Sequence, residues 1–148
     1  MSGIWGSKIK YSIFGESHGK AIGITIDGLS AGIELDLNEV SREMRRRAPG
    51  KSKLSTSRLE MDEFEIISGY FDNKTTGTPL CAIIQNSDKH SKDYEKTKDL
   101  MRPGHADFTG YIKYSGFNDY RGGGHFFREN YCTYSICRSY RKTNFKKK

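Results

Sequence analysis

Residues 8–28 read KIKYSIFGESHGKAIGITIDG, and this stretch decides the fold. Lys8 to Phe14 alternates and is rich in β-formers, and Ala21 to Ile26 is apolar and partly β-branched. The pattern predicts two strands joined by the turn Phe14-Gly15-Glu16-Ser17-His18-Gly19 and closed by Asp27-Gly28. Gly15 and Gly19 let the backbone turn tightly and approach a ligand closely. An imidazole held in such a turn can move a proton near neutral pH. The plain alternative is a solvent-facing histidine in an ordinary bend, and the rest of the chain decides between the two.

Beyond the turn, Leu29 to Leu35 reads as a loop with a short extended piece. Asp36 is a good helix N-cap, with Glu39 three residues on to complete a capping box. The helix runs to Arg47, stops before Pro49-Gly50, and carries Leu37, Val40 and Met44 as an apolar stripe. Arg45, Arg46 and Arg47 in its last turn suit the negative end of the helix dipole. Residues 50–60 form a polar, basic loop. Residues 64–71 and 79–84 read as strands of a hairpin that turns around Asn73 to Gly77. Residues 86–101 form an exposed, mobile loop. Arg102-Pro103-Gly104-His105-Ala106-Asp107 opens a helix-like segment with Phe108, Tyr111, Ile112 and Tyr114 as packing residues. Mixed helices and antiparallel hairpins make the expected fold class α+β.

A chain of 148 residues makes one domain with a modest core. It holds no apolar run near the length of a membrane span, and its start, MSGIWGSKIK, is not a signal peptide. Three cysteines without metal-type spacing make neither a disulfide framework nor a metal site, so a cytoplasmic location is expected. The net charge of +7 hints at nucleic acid, but residues 127–148 hold seven basic residues and one acid, so six of the seven charges lie there. The body is nearly neutral, and its aromatics do not form an RNA-binding strand motif. A basic nucleic-acid-binding protein is therefore the weaker class.

Three constellations could carry chemistry. Three of the four histidines adjoin glycine: His18-Gly19, Gly104-His105 and Gly124-His125. Convergence of two or three would make a proton-transfer site; a metal site is disfavoured because no two histidines have helical ligand spacing. Arg45, Arg46, Arg47, Lys51, Lys53 and Arg58 cluster around Pro49-Gly50, and Arg102 and Arg121 each precede a Gly–His motif. Guanidinium groups beside glycine-rich backbone suit phosphate, although helix-end arginines also serve as simple caps. Gly122-Gly123-Gly124 in mid-domain costs entropy and points to a backbone nest against an anion or a flat cofactor, or to a plain flexible loop.

Taken together these motifs resemble the chorismate synthase family over residues 2–126. The ordered set is FGESHG with Asp27-Gly28, then RRRAPG, SGYFDNKTTGTPL, the block ending RPGHAD, and NDYRGGGH. One departure is Ser30, where the family usually has proline. The resemblance implies part of a sandwich-like fold and an anti-1,4-elimination. Phosphate and a ring hydrogen leave 5-enolpyruvylshikimate 3-phosphate, a small-molecule substrate, to give chorismate. It implies reduced FMN, with NADPH as reductant in bifunctional members, and a cytoplasmic homotetramer without nucleic-acid or membrane partners. By the same resemblance His18 is the general acid near the departing phosphate, and His105 protonates or hydrogen-bonds the flavin. Arg47 and Lys53 match basic positions for substrate or nicotinamide phosphate. The family's flavin contact follows the glycine run, so His125 and Phe126 are the matching positions, flanked by the candidates Gly124 and Phe127, and Phe127 stands where the family usually has serine. Arg102 and Arg121 are candidate anion contacts from their chemistry. A non-catalytic flavin- or phosphate-binding module is a further reading.

The resemblance ends after Phe126. Residues 127–148 read as a non-homologous, poorly ordered basic tail, where the family continues with an alanine-rich helix. Back-translated with AT-rich codons and moved by one base, this tail gives a family-like continuation, so a frameshift is the expectation. With about the first third of the family's length, this chain is expected to be inactive alone.

Overall fold

The computed structural model describes residues 3–47, 63–86 and 100–126. The basic loop at 50–60, most of the loop expected at 86–101 and the tail at 127–148 lie outside them. Seven strands and two α-helices follow in order: β1 (Ile4–Gly6), β2 (Lys10–Gly15), β3 (Ala21–Asp27), α1 (Leu37–Arg47), β4 (Phe64–Ser68), β5 (Tyr70–Phe71), β6 (Lys74–Thr75), β7 (Leu80–Gln85) and α2 (Asp107–Lys113). A 3-10 segment, Arg121–Phe126, ends the described chain. The α+β class is as expected.

Period-two burial builds the sheet. Ile22, Ile24 and Ile26 of β3 are all but fully buried and share one face. Across the antiparallel ladders they meet Ile84, Ala82 and Leu80 of β7, and Ile24 also meets Ile13 of β2. The five-stranded sheet therefore has the order β1-β2-β3-β7-β4, with β3 and β7 near its centre. Val40 and Met44 of α1 join the same cluster, one helical turn apart. Each isoleucine fully removed from water contributes roughly 1.5–3 kcal/mol. Asp36 caps α1 as read from the sequence: its Oδ1 accepts from the N–H groups of Asn38 (3.0 Å) and Glu39 (3.1 Å). The Glu39 carboxylate itself pairs with Arg42.

Two expectations need correction. The strand read over 64–71 breaks at Gly69, whose φ is +80°; a Cβ there would lie 2.5 Å from the Cα of Leu80. Residues 64–68 stay in the main sheet with a register shift between Ile66 and Ser68, while β5 leaves to pair with β6. Asp72 and Asn73, both with positive φ, form the two-residue tip of that small hairpin. The hairpin is tied to the 29–35 loop through Thr75. The buried Thr75 hydroxyl donates to the Ser30 carbonyl (2.7 Å) and accepts from the Ile33 N–H (3.0 Å). The second correction concerns α2. Phe108, Tyr111, Ile112 and Tyr114 were expected to pack, yet all four are exposed, and only Gly110 of the helix is buried. The core cluster on the sheet is filled by strand residues, by Val40 and Met44 of α1 and by Leu29 and Leu35 of the loop before it, and includes none of the four.

Candidate functional site

The FGESHG turn sits at the β2–β3 connection and is built from backbone. Gly15 has φ +99°, and a Cβ on it would press within 2.4 Å of the Ala21 carbonyl oxygen, so only glycine fits. The turn closes with the Gly19 N–H donating to the Glu16 carbonyl (2.9 Å). At the end of β7, Asn86 reaches across and its Nδ2 lies 3.0–3.1 Å from the carbonyl oxygens of Glu16, Ser17 and Gly19. His18, at the crest, is buried, with 4% of its surface exposed.

Gly122 of the glycine run packs directly against His18. Gly122, Gly123 and Gly124 all have positive φ, a sequence of conformations that side chains resist. A Cβ on Gly122 would come within 2.5 Å of His18 Cδ2, 2.7 Å of its Nε2 and 2.9 Å of Ser17 Oγ. The imidazole edge thus rests on bare backbone. Two further bonds join the turns: the Ser17 N–H donates to the Gly124 carbonyl (3.2 Å), and His125 Nδ1 stands 2.9 Å from the Gly15 carbonyl. A carbonyl only accepts, so this contact assigns the proton to Nδ1 of His125.

Charges flank the junction. Asp119 holds Arg121 in a fork, with Nε donating to Oδ1 (2.8 Å) and the second nitrogen to Oδ2 (2.6 Å), and the Arg121 N–H also donates to Oδ1 (3.0 Å). Burial pushes the Asp119 carboxyl up, but those hydrogen bonds and the charges of Arg121 and His18 outweigh it and hold the carboxyl below its usual range. The Asp119 hydrogen bond, with the Glu16 charge adding to it, raises Arg121. Beside them opens a cleft of about 510 Å³. Phe14, Tyr114 and Phe117 give it aromatic walls, Gly15 and Gly123 bare backbone, and Glu16, Asp119 and His125 its polar groups. The Phe14 ring lies over Gly23 on the neighbouring strand, where a Cβ would collide with it at 2.4 Å.

Of the site residues read from sequence, the structure brings together His18, Arg121, Gly124 and His125. His105 stands exposed ahead of α2 and does not line the cleft. Arg102, beside it, is gripped by Asp107 through Nε (2.8 Å) and a second nitrogen (3.0 Å). That hydrogen bonding, against the opposing effect of burial, holds the Asp107 carboxyl low. Both arginines read as anion contacts therefore already hold carboxylates of this chain. Arg47 is the last residue of α1; its side chain, that of Phe126, and all of Lys53 and Phe127 lie outside the described residues. Sequence reasoning missed Asn86, Glu16 and Asp119. Asp119 stood two residues before Arg121, a spacing that permits a local ion pair; Asn86 gave no signal. Among the described residues no His, Cys, Asp and Glu group could hold a metal ion, and no helix is long and apolar enough to cross a membrane.

Fold and junction together define an α+β protein whose buried His18 is held between two glycine-bounded turns; residues of both turns line an aromatic cleft that His18 itself does not line. A family model described as chorismate synthase matches residues 9–132. A chorismate synthase from Nitratiruptor sp. is 52% identical over 120 residues, covering 81% of this chain and 33% of the relative. One from Thermococcus kodakarensis is 50% identical over 121 residues, covering 82% and 34%. A solved structure titled crystal structure of chorismate synthase superposes with a TM-score of 0.61 at 26% identity, covering 92% of this chain and 35% of that one. The chain belongs to the chorismate synthase family. It spans about a third of the length of the curated relatives it matches.

Proposed function

We propose that this chain supplies the first third of a chorismate synthase, the lyase that eliminates phosphate from 5-enolpyruvylshikimate 3-phosphate. One observation carries the reading: the FGESHG turn and the RGGGH turn, more than a hundred residues apart, meet around His18. In this reading His18 gives its proton to the departing phosphate oxygen as the carbon–oxygen bond breaks. By the resemblance His105 holds or moves a proton at the flavin, which requires the cofactor to extend past the described cleft lining, and Arg47 and Lys53 bind the substrate or nicotinamide phosphate. Arg102 and Arg121 each commit two side-chain donors to Asp107 and Asp119, whose carboxylates offset their charge, which places them behind Arg47 and Lys53 as phosphate ligands.

The cleft fits a flat ring system: three aromatic side chains flank it, and Gly15 and Gly123 leave room for close approach. The described lining has two carboxylates and neither lysine nor arginine, so a cofactor phosphate has to be met by residues beyond it. Phe14, Gly123, Gly124 and His125 would hold reduced FMN, with Phe126 and Phe127 continuing the contact. When bound, the flavin supplies an electron to the cleavage and recovers it, which leaves the reaction redox-neutral. NADPH as its reductant, a homotetramer and a cytoplasmic setting belong to the same proposal.

The test joins residues 1–126 to the remaining two thirds of the Nitratiruptor relative and measures chorismate anaerobically with reduced FMN. Turnover that falls by about 10²-fold or more in His18→Ala supports the reading. Turnover indifferent to His18→Ala removes His18 as the acid. FMN binding without turnover in the chimera favours a non-catalytic flavin module.

A further inference from the structure

We propose that Asn86 is the positioning residue of the His18 turn, a clamp that sets where the imidazole stands. The inference deepens the reading of His18 as the acid and rests on it for its catalytic consequence, but the clamp is defined by geometry alone.

Asn86 follows directly on β7, whose last residue, Gln85, pairs with Ala21 at the start of β3. Its N–H continues the ladder by donating to the Lys20 carbonyl (3.1 Å). Its side-chain Nδ2 then reaches the carbonyls of Glu16 (3.0 Å), Ser17 (3.1 Å) and Gly19 (3.0 Å). One residue therefore holds every carbonyl from position 16 to 20 except that of His18 itself. Two amide hydrogens serve three acceptors, so at least one is shared, a pattern met at tight turns.

The choice of residue follows from this. Aspartate has the same shape but only accepts, and would set a carboxylate against three carbonyl oxygens. Serine is too short, and glutamine adds a methylene that drives the amide past the ring of acceptors. The turn needs such a tie because His18 is buried against Gly122 with no slack: the glycine lacks the one atom that would collide with the imidazole. A turn free to rock would lift the ring off that seat. Fixing the loop in advance is what a proton donor requires to meet its acceptor at hydrogen-bond distance.

The intact chain provides the test, with Asn38 as an exposed comparator. In the unmodified protein the Asn86 side-chain amide hydrogens should exchange with solvent about tenfold or more slowly than those of Asn38. Equal rates would overturn the clamp, and this measurement needs no variant to fold. In Asn86→Asp and Asn86→Ala, the His18 ring nitrogen resonances and the Ser17 and Gly19 amide resonances should move, while the Ile24 methyl signals stay. A purely structural role lowers the melting temperature and leaves the His18 ring in place; that result in a folded Asn86→Asp chain also overturns the proposal. In the chimera described above, Asn86→Ala should lower kcat by about tenfold with KM little changed. A loss confined to KM counts against positioning. Should His18→Ala prove harmless there, the acid role fails while the exchange and resonance results still decide the clamp.

Discussion

Gly122→Ala tests the seat of His18 most directly. The new Cβ would stand 2.5 Å from Cδ2 of the ring and 2.9 Å from Ser17 Oγ, where ordinary contact begins at 3.4 Å. One side must retreat by about 1 Å in a junction tied by the Ser17–Gly124 backbone bond and the His125–Gly15 contact. Alanine at φ +59° costs roughly 1–2 kcal/mol in the backbone alone. Forcing the extra methyl into the contact adds roughly 1–3 kcal/mol. The expected loss is about 2–5 kcal/mol. Gly32→Ala isolates the first contribution: Gly32 has φ +78° and nothing within 4 Å of the added Cβ. Urea unfolding followed by circular dichroism gives both values from the midpoints. The contact predicts that Gly122→Ala loses at least about 1 kcal/mol more than Gly32→Ala. Equal losses would show that the imidazole does not rest on Gly122, and would leave only the Ser17–Gly124 and His125–Gly15 contacts joining the two turns.

The remaining predictions concern the supports of the fold. Asp119→Asn should cost roughly 1–3 kcal/mol at pH 7, a figure moderated by the partial exposure of Arg121. Because the Asp119 carboxyl is held below 3.8, its contribution is full above that value and drains away as pH falls through the folded pKa. The gap between parent and variant should therefore narrow as pH falls below 3.8 in parallel melts, and a gap that ignores pH refutes the pairing. Thr75→Val keeps the shape but strands the Ile33 N–H and the Ser30 carbonyl, and should destabilise by roughly 1–3 kcal/mol in thermal unfolding. Asp36→Ala should cost about 1 kcal/mol by leaving two N–H groups at the start of α1 without their cap; unchanged stability removes the cap.

The elements whose signals are local were legible. Ile22, Ile24 and Ile26 spell a period of two, and Asp36 announces a helix start; both are met in the structure. Gly69 was a fair warning of a break inside a strand, but strand-forming neighbours on both sides, Ile66 and Ile67 before it and Tyr70 and Phe71 after it, concealed it. For α2, apolar residues showed that a helix forms and not what it would lie against. The site divides the same way. Its two motifs were visible as glycine–histidine signatures, yet which motif meets which is set by the sheet order. His125 rather than His105 lies beside the FGESHG turn. Asn86 is unreadable for the same reason, since its partners lie 67 to 70 residues away.

That separation also governs the order of assembly. The hairpin of β2 and β3 needs only the closure of a short turn. The contact between His125 and Gly15 spans 110 positions and waits for nearly the whole described chain to be in place. Loop-closure entropy and the dependence of rate on contact order make it a late event. Substitutions at Gly122 should then speed unfolding and leave the refolding rate almost untouched, with φ-values near zero, whereas Ile24→Val should slow refolding. Stopped-flow chevrons separate the two. A chain emerging from the ribosome would complete its sheet first and lock its histidine last, so the junction around His18 is the part of the described chain most exposed to interruption.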